Sequence, residues 1–350
     1  MLSLPLLHVV LILQGVAIVL LLASLLIRSS YHWWYERRHG GMVHAAASSI
    51  ARMLGAEELS REAERRLAAL PRPLQIRVMW EIAPNLSGES LGLLAELARR
   101  VGLPAWAESI CSSSRWHRRL VGLRILTLLG INSRCAIELL DDPHPLVRAQ
   151  AIEGASDHAD EATVASMIEY FADPSTLCLF TTQNSLCRIG EPAVRPLVEY
   201  LEGPGRRALE PALEVAIGLA EPRLLPAALV LSSHAHPQVR SRATALLGAI
   251  GGERPVSRLI ELRLDVAGDV RAAAARALGV LGHWQASPAV AMLLRDPEFQ
   301  VRREAGLALL SFGGPGQLML RRYRTDADDF AADMARQVLG LPGVAGRDPA

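Results

Sequence analysis

A recurrence of about thirty residues constrains this chain more than any other feature. Val147-Arg148 is followed by Ala151 and Ala155, and Val239-Arg240 by Ala243, Leu247 and Gly248. Val270-Arg271 is followed by Ala274, Leu278 and Gly279, and Val301-Arg302 by Ala305, Leu309 and Leu310. The last three valines stand 31 residues apart, and the 92 residues from Val147 to Val239 hold two degenerate copies, ending at Ile189-Gly190 and Ile217-Gly218. A period in this range marks supersecondary units that cannot bury their apolar faces alone and are stabilised by stacking on their neighbours.

Within each copy the apolar residues recur at i, i+3/i+4 and i+7, the pattern of an amphipathic helix. A glycine near its end suits a left-handed C-cap. A second, shorter apolar helix follows, with a proline early in it, at residues 191–201, 226–231, 255–264 and 288–294. Proline is tolerated there because its missing N–H has no helical partner in the first turn. Turns such as Asp141-Asp142-Pro143, Asp173-Pro174 and Asp296-Pro297 separate the hairpins. Half of the residues are apolar but only 5% are aromatic, which favours an all-α chain over a sandwich or barrel. All 37 basic residues are arginine. The absence of lysine excludes a Walker A lysine, a Schiff-base lysine and a kinase-type phosphate lysine.

The stretch VRAAAARALGVLGHWQASPAVAMLLRDPEFQVRREAGLALL, from Val270 to Leu310, resembles the HEAT-repeat consensus in its short bacterial form, shared with phycobilisome-lyase-type repeats. The resemblance extends over residues 112–341. It implies a right-handed α-solenoid of helix pairs, with a concave face lined by the second helices. It also implies a ladder in which Arg148, Arg240, Arg271 and Arg302 pair with loop acids of adjacent repeats, with Asp141, Asp142, Asp269 and Asp296 as candidates. A phosphate- or peptide-binding groove is the competing role for those arginines. Residues 57–111 read as irregular helical repeats, 112–342 as the solenoid and 343–350 as a flexible tail.

The amino-terminal stretch reads differently. Residues 2–27 carry no charged side chain, and at 1.5 Å per residue a helix of that length crosses a hydrocarbon core of about 30 Å. Too long for a cleaved leader and without a basic n-region, it is expected to be a single transmembrane anchor. Residues 28–56 follow as a basic and aromatic juxtamembrane segment. Arg28, Arg37 and Arg38 set the carboxyl side in the cytoplasm, and Tyr31, Trp33, Trp34 and Tyr35 form an interfacial belt. The expected location is the inner membrane, single-pass, with the solenoid cytoplasmic. Residues 42–56 read as a short helix without an assigned role.

No constellation of catalytic, cofactor-binding or metal-binding residues emerges, so no enzyme activity is expected. Gly88-Glu89-Ser90-Leu91-Gly92 fits a nucleophile-elbow pattern, but that motif needs a preceding strand, and Ser87 or Gly88 reads better as a helix cap. His234 and His236 read as turn residues. Cys111, Cys135, Cys178 and Cys187 lack CxxC spacing and read as buried free thiols. The near-neutral charge disfavours nucleic acid. Leu225–Leu231 and residues 288–294 carry no charge on their bodies, so they form either an apolar patch for a partner or a fully buried layer. Leu229, Val230, Val290 and Met292 are the partner-contact candidates there. Arg321, Arg322 and Arg324 are either a rim contact or a solvated face. The expected function is a membrane-anchored scaffold or adaptor for a protein partner, itself membrane-associated. A lyase-like or chaperone-like activity, or nucleic-acid binding, are the alternatives.

Overall fold

The computed structural model describes residues 4–54, 61–204 and 207–341. Side chains of the first helix are not described at residues 4–12, 25, 27, 28 and 31–39. Arg28, Tyr31, Trp33, Trp34, Tyr35, Arg37 and Arg38 therefore lie outside the described side chains, and residues 343–350 outside the described chain. Every regular element described is helical, and the chain divides into two compact units, residues 1–133 and 134–350.

The first unit contains α1 (Leu4–Leu54), α2 (Arg61–Ala68), α3 (Arg72–Ile82), α4 (Glu89–Arg100), α5 (Leu103–Cys111) and α6 (Trp116–Leu128). The last turns of α1 are not a separate short helix but the end of one 51-residue rod. Val43, Ala47, Ile50 and Leu54 recur on one face of it and are buried against α2, α3 and α4. A weakly patterned sequence hides this role, because the stripe is only one residue wide. Ser49 accepts a hydrogen bond from Arg66, and His44 Nδ1 lies 2.6 Å from Glu81 Oε1. Upstream in the same helix, residues 13–22 are exposed. Ile18, Val19, Leu20, Leu21 and Leu22 are all 55–65% exposed. At 100° per residue, five consecutive positions point around the whole circumference. Among the described residues, no helix is long and apolar enough to cross a membrane.

The second unit begins with α7 (Arg134–Glu138), α8 (Pro145–Ser156), α9 (Glu161–Ile168), α10 (Thr176–Ile189) and α11 (Val194–Glu202). It continues through α12 (Leu209–Leu219), α13 (Leu225–Leu231), α14 (Pro237–Ile250) and α15 (Glu253–Leu262). It ends with α16 (Gly268–Val280), α17 (Ser287–Ala291), α18 (Phe299–Ser311), α19 (Gly314–Tyr323) and α20 (Asp329–Leu339). Long and short helices alternate. The long ones, from α8 to α20, stack on one another as one layer, and α9, α11, α13 and α15 form a second. Val147, Val270 and Val301 of the recurring motif are 0% exposed, as are Ala151, Ala243, Ala274 and Ala305. The motif is thus the core seam between adjacent long helices.

Gly190 takes the expected C-cap role after α10, with φ of 73°, but Gly248 and Gly279 do a different job. A Cβ built on Gly248 would stand 2.5 Å from Ala277 Cβ, and one on Gly279 2.8 Å from Ala308 Cβ. Each glycine lets its helix approach the alanine of the next repeat, and both lie inside their helices. Caps are supplied a few residues later, by Gly251 after α14 with φ of 71°. After α12 the left-handed position is held by Ala220, φ 52°, and Gly218 instead sits against Cys187. Side chains at φ near +60° other than Gly, Asn or Asp are strained. An Ala220→Gly variant should therefore gain about 1 kcal/mol in chemical denaturation, the reverse of the usual sign for such a change in a helix.

Candidate interaction surface

The recurring arginines build a ladder along the turns that precede the long helices. Arg148 donates through Nε and Nη2 to both carboxylate oxygens of Asp173, at 2.9 and 3.0 Å. Arg240 does the same to Asp265 at 2.8 and 2.7 Å, and Arg271 to Asp296 at 2.7 and 2.8 Å. In every rung the acid lies 25 residues beyond the arginine. The remaining nitrogen, Nη1, donates to two carbonyls of the arginine's own turn, those of Asp142 and Pro143, of His234 and Ala235, or of Asp265 and Val266. The planar fork of arginine makes this three-way clamp possible, and lysine has no equivalent geometry.

Each acid is also a turn residue. Asp173, Asp265 and Asp296 accept the N–H of Ser175, Ala267 and Glu298, two positions on, which starts the following helix. Burial alone would raise the Asp296 carboxyl, but the Arg271 guanidinium, the Glu298 N–H and the nearby Arg302 charge outweigh it and hold it below its ordinary value. Asp173 and Asp265 are depressed in the same way by Arg148 and Arg240.

Of the four acids expected in the ladder, Asp296 receives an arginine through both carboxylate oxygens. Asp142 contributes its carbonyl to Arg148 and its carboxylate to the His144 N–H, and Asp141 accepts from the Tyr170 hydroxyl at 2.6 Å. The Asp269 carbonyl accepts from Ser241. Asp269 lies inside α16, one turn past the acid's place, and Asp141 one residue before it. Asp173 and Asp265 are the acids that the sequence pattern left out. The signal that finds them is the fixed interval of 25 residues.

The candidate partner residues separate on burial. Val230 is 68% exposed and Met292 59%, whereas Leu229 is half-buried. Val290 is 0% exposed, so it is a core residue and not a contact. Nor is the apolar patch continuous. Positions 199, 230, 261 and 292 are equivalent from copy to copy, each exposed, and they read Glu, Val, Glu, Met. Glu261, bonded to Arg258 at 2.7 Å, therefore stands between Val230 and Met292. Arg321, Arg322 and Arg324 are exposed, and the Arg324 carbonyl accepts from Arg336.

Other sequence candidates resolve locally. Gly88, with φ of 56°, caps α4 and follows a short 3-10 turn at Ala83–Asn85, so Ser90 sits in a first helical turn without a strand before it. His234 Nδ1 accepts the His236 N–H at 3.1 Å, a turn arrangement. Among the described residues no cluster of three metal-ligating side chains occurs. All four cysteines are free; Cys111 and Cys178 are buried, but Cys187 is exposed and departs from the expectation.

This arrangement of stacked helical hairpins joined by an arginine–aspartate ladder defines an α-helical repeat protein. Residues 263–340 match the family model described as HEAT repeats. A comparison with curated proteins gave no match. Among solved structures the chain is similar to Kap121p bound to Nup53p, with 13% identity and a TM-score of 0.54. That match covers 82% of this chain and 38% of Kap121p. It is also similar to a designed armadillo repeat protein in complex with the peptide (KR)4, at 18% identity over 50% of this chain and 98% of that one, with a TM-score of 0.34. Human deoxyhypusine hydroxylase in complex with glycerol matches at 18% identity over 86% of this chain and 98% of that one, with a TM-score of 0.29.

Proposed function

We propose that this chain is a scaffold tethered to a membrane, whose helical repeats hold a protein partner that is itself membrane-associated. The observation that carries the tether is α1: apolar side chains around its whole circumference stand bare, while its last turns are locked into the first unit by Val43, Ala47, Ile50 and Leu54. Fully burying a Val, Leu or Ile side chain is favourable by about 1.5–3 kcal/mol, so a solvated rod of this kind is driven into an apolar phase. Residues 2–27 would form the span, and Arg28, Arg37 and Arg38 would place the repeats on the cytoplasmic side of the inner membrane. Support for a protein partner comes from the fold, because stacked hairpins offer long surfaces of regularly spaced side chains. Confinement at the bilayer would raise the effective concentration of a neighbouring membrane protein.

Affinity capture from detergent-solubilised membranes tests the reading, with the full chain beside a variant lacking residues 1–40. The full chain should recover a defined membrane protein in stoichiometric yield, and the truncated variant, expressed in the same cells, should recover much less. Equal recovery by both, or no specific protein with either, would overturn it.

A further inference from the structure

The ladder has one incomplete rung. Arg302 occupies the place of Arg148, Arg240 and Arg271, and its Nη1 makes the usual two bonds to the carbonyls of Asp296 and Pro297, at 2.8 and 2.9 Å. The carboxylate that completes every earlier rung is missing. The residue 25 positions on is Ala327, which is exposed. Asp326 beside it keeps the turn role, accepting the Asp328 N–H at 3.0 Å, but both its oxygens are taken by Arg295, at 3.1 and 2.7 Å. Among the described residues, Nε and Nη2 of Arg302 thus donate to no acceptor, on a residue only 8% exposed. Both keep an opening to water, because the fully enclosed side-chain polar atoms without a partner among the described residues are Thr182 Oγ1 and Arg263 Nε.

The surroundings are also unlike the other rungs. The Arg302 guanidinium carbon lies 4.7 Å from the centre of the Phe330 ring and 5.8 Å from that of Phe299. Both rings are more than half exposed, in a chain with five phenylalanines in all. Aromatic faces attract the cation from above the guanidinium plane, but they do not accept the two in-plane N–H groups, which need an oxygen pair.

We infer that Arg302 is a docking point for a carboxylate of the protein partner, an Asp or Glu side chain flanked by an apolar residue that packs on Phe299 and Phe330. The inference rests on the proposed protein-binding function and names the chemistry of one contact. Two features of the rungs define the ligand. The three filled positions each hold a carboxylate in the same bidentate geometry, and the rim is apolar, so a free inorganic anion would leave the rings bare.

The test uses the full chain and a display library of random 12-residue peptides, selected in parallel on Arg302→Gln. Peptides enriched on the parent alone should carry an acid next to a Leu, Phe or Met. Replacing that acid by its amide in a synthetic copy should weaken binding about tenfold or more, as should Phe330→Ala, a change at an exposed position. Ala327→Asp supplies an internal carboxylate at the 25-residue interval. It should raise the melting temperature while abolishing peptide binding, which separates loss of the site from loss of the fold. Absence of acidic peptides above the Arg302→Gln background, or indifference to the acid-to-amide change, would overturn the inference. If the membrane capture succeeds while these fail, the docking point is wrong and the scaffold reading stands.

Discussion

Asp296→Ala unfolds the second unit at a denaturant concentration well below that of the parent, with a loss of about 3–5 kcal/mol. The side chain is 6% exposed, and it holds three groups at once. It receives Nε and Nη2 of Arg271 and the N–H of Glu298, which opens α18. Removing the carboxylate leaves a guanidinium that is 12% exposed with only the half-exposed Glu298 carboxylate, 3.4 Å from Nη2, as a counter-charge. Such a poorly compensated buried charge is the costly outcome, more so than the pair is worth when compared with an apolar replacement. By that argument a double variant, Arg271→Met with Asp296→Leu, recovers most of the loss. Urea denaturation followed by circular dichroism measures both.

The same rungs set the acid limit. Asp173, Asp265 and Asp296 titrate below their ordinary value in the folded chain, so the unfolded chain binds protons first as pH falls. Their contribution is therefore complete above the unfolded carboxylate value of about 4. It is lost progressively as pH drops from there through the folded values. Stability should be flat from pH 5 to 8 as far as these groups are concerned and should fall steeply below pH 4, with a shallower fall in the double variant.

Gly248→Val is the second large effect, about 3 kcal/mol of destabilisation at the upper end of overpacking costs. The added Cβ would stand 2.5 Å from Ala277 Cβ and 3.1 Å from its Cα, so α14 and α16 must separate. Backbone lies behind the contact, and no flexible side chain is there to yield. Combining it with Ala277→Gly removes the nearest atom, and the pair should recover about 1–2 kcal/mol as a coupling energy. Gly92→Ala is the control. It lies within a helix with no atom within 4 Å of the new Cβ, and helix propensity alone predicts a gain of up to about 1 kcal/mol.

Why some of this was legible in advance follows from which residues repeat. Val270 and Val301 recur with their alanines because each long helix must present the same seam to the next, so periodicity reads directly as architecture. The ladder was legible on the arginine side for the same reason. Its acids were misassigned because proximity in sequence favours Asp141 and Asp269, whereas the partner lies one hairpin later. Val290 looked like a surface residue because a helix of five residues flanked by 3-10 turns has no polar face to reveal its orientation. The end of α1 was unreadable because a one-residue-wide stripe of Val43, Ala47, Ile50 and Leu54 sits among other small apolar residues. The open rung at Arg302 becomes visible only when the geometry of the three filled ones is known.

Liposome flotation measures the tether most directly. The full chain and a variant lacking residues 2–27 are each mixed with vesicles of anionic phospholipid and centrifuged through a density gradient at high salt. Salt screens surface charge, so only insertion of apolar side chains carries protein upward. The full chain is predicted to collect with the lipid and the shortened one to stay at the bottom, with the helices of its remaining residues intact. Both chains at the bottom, or both with the lipid, would contradict the account.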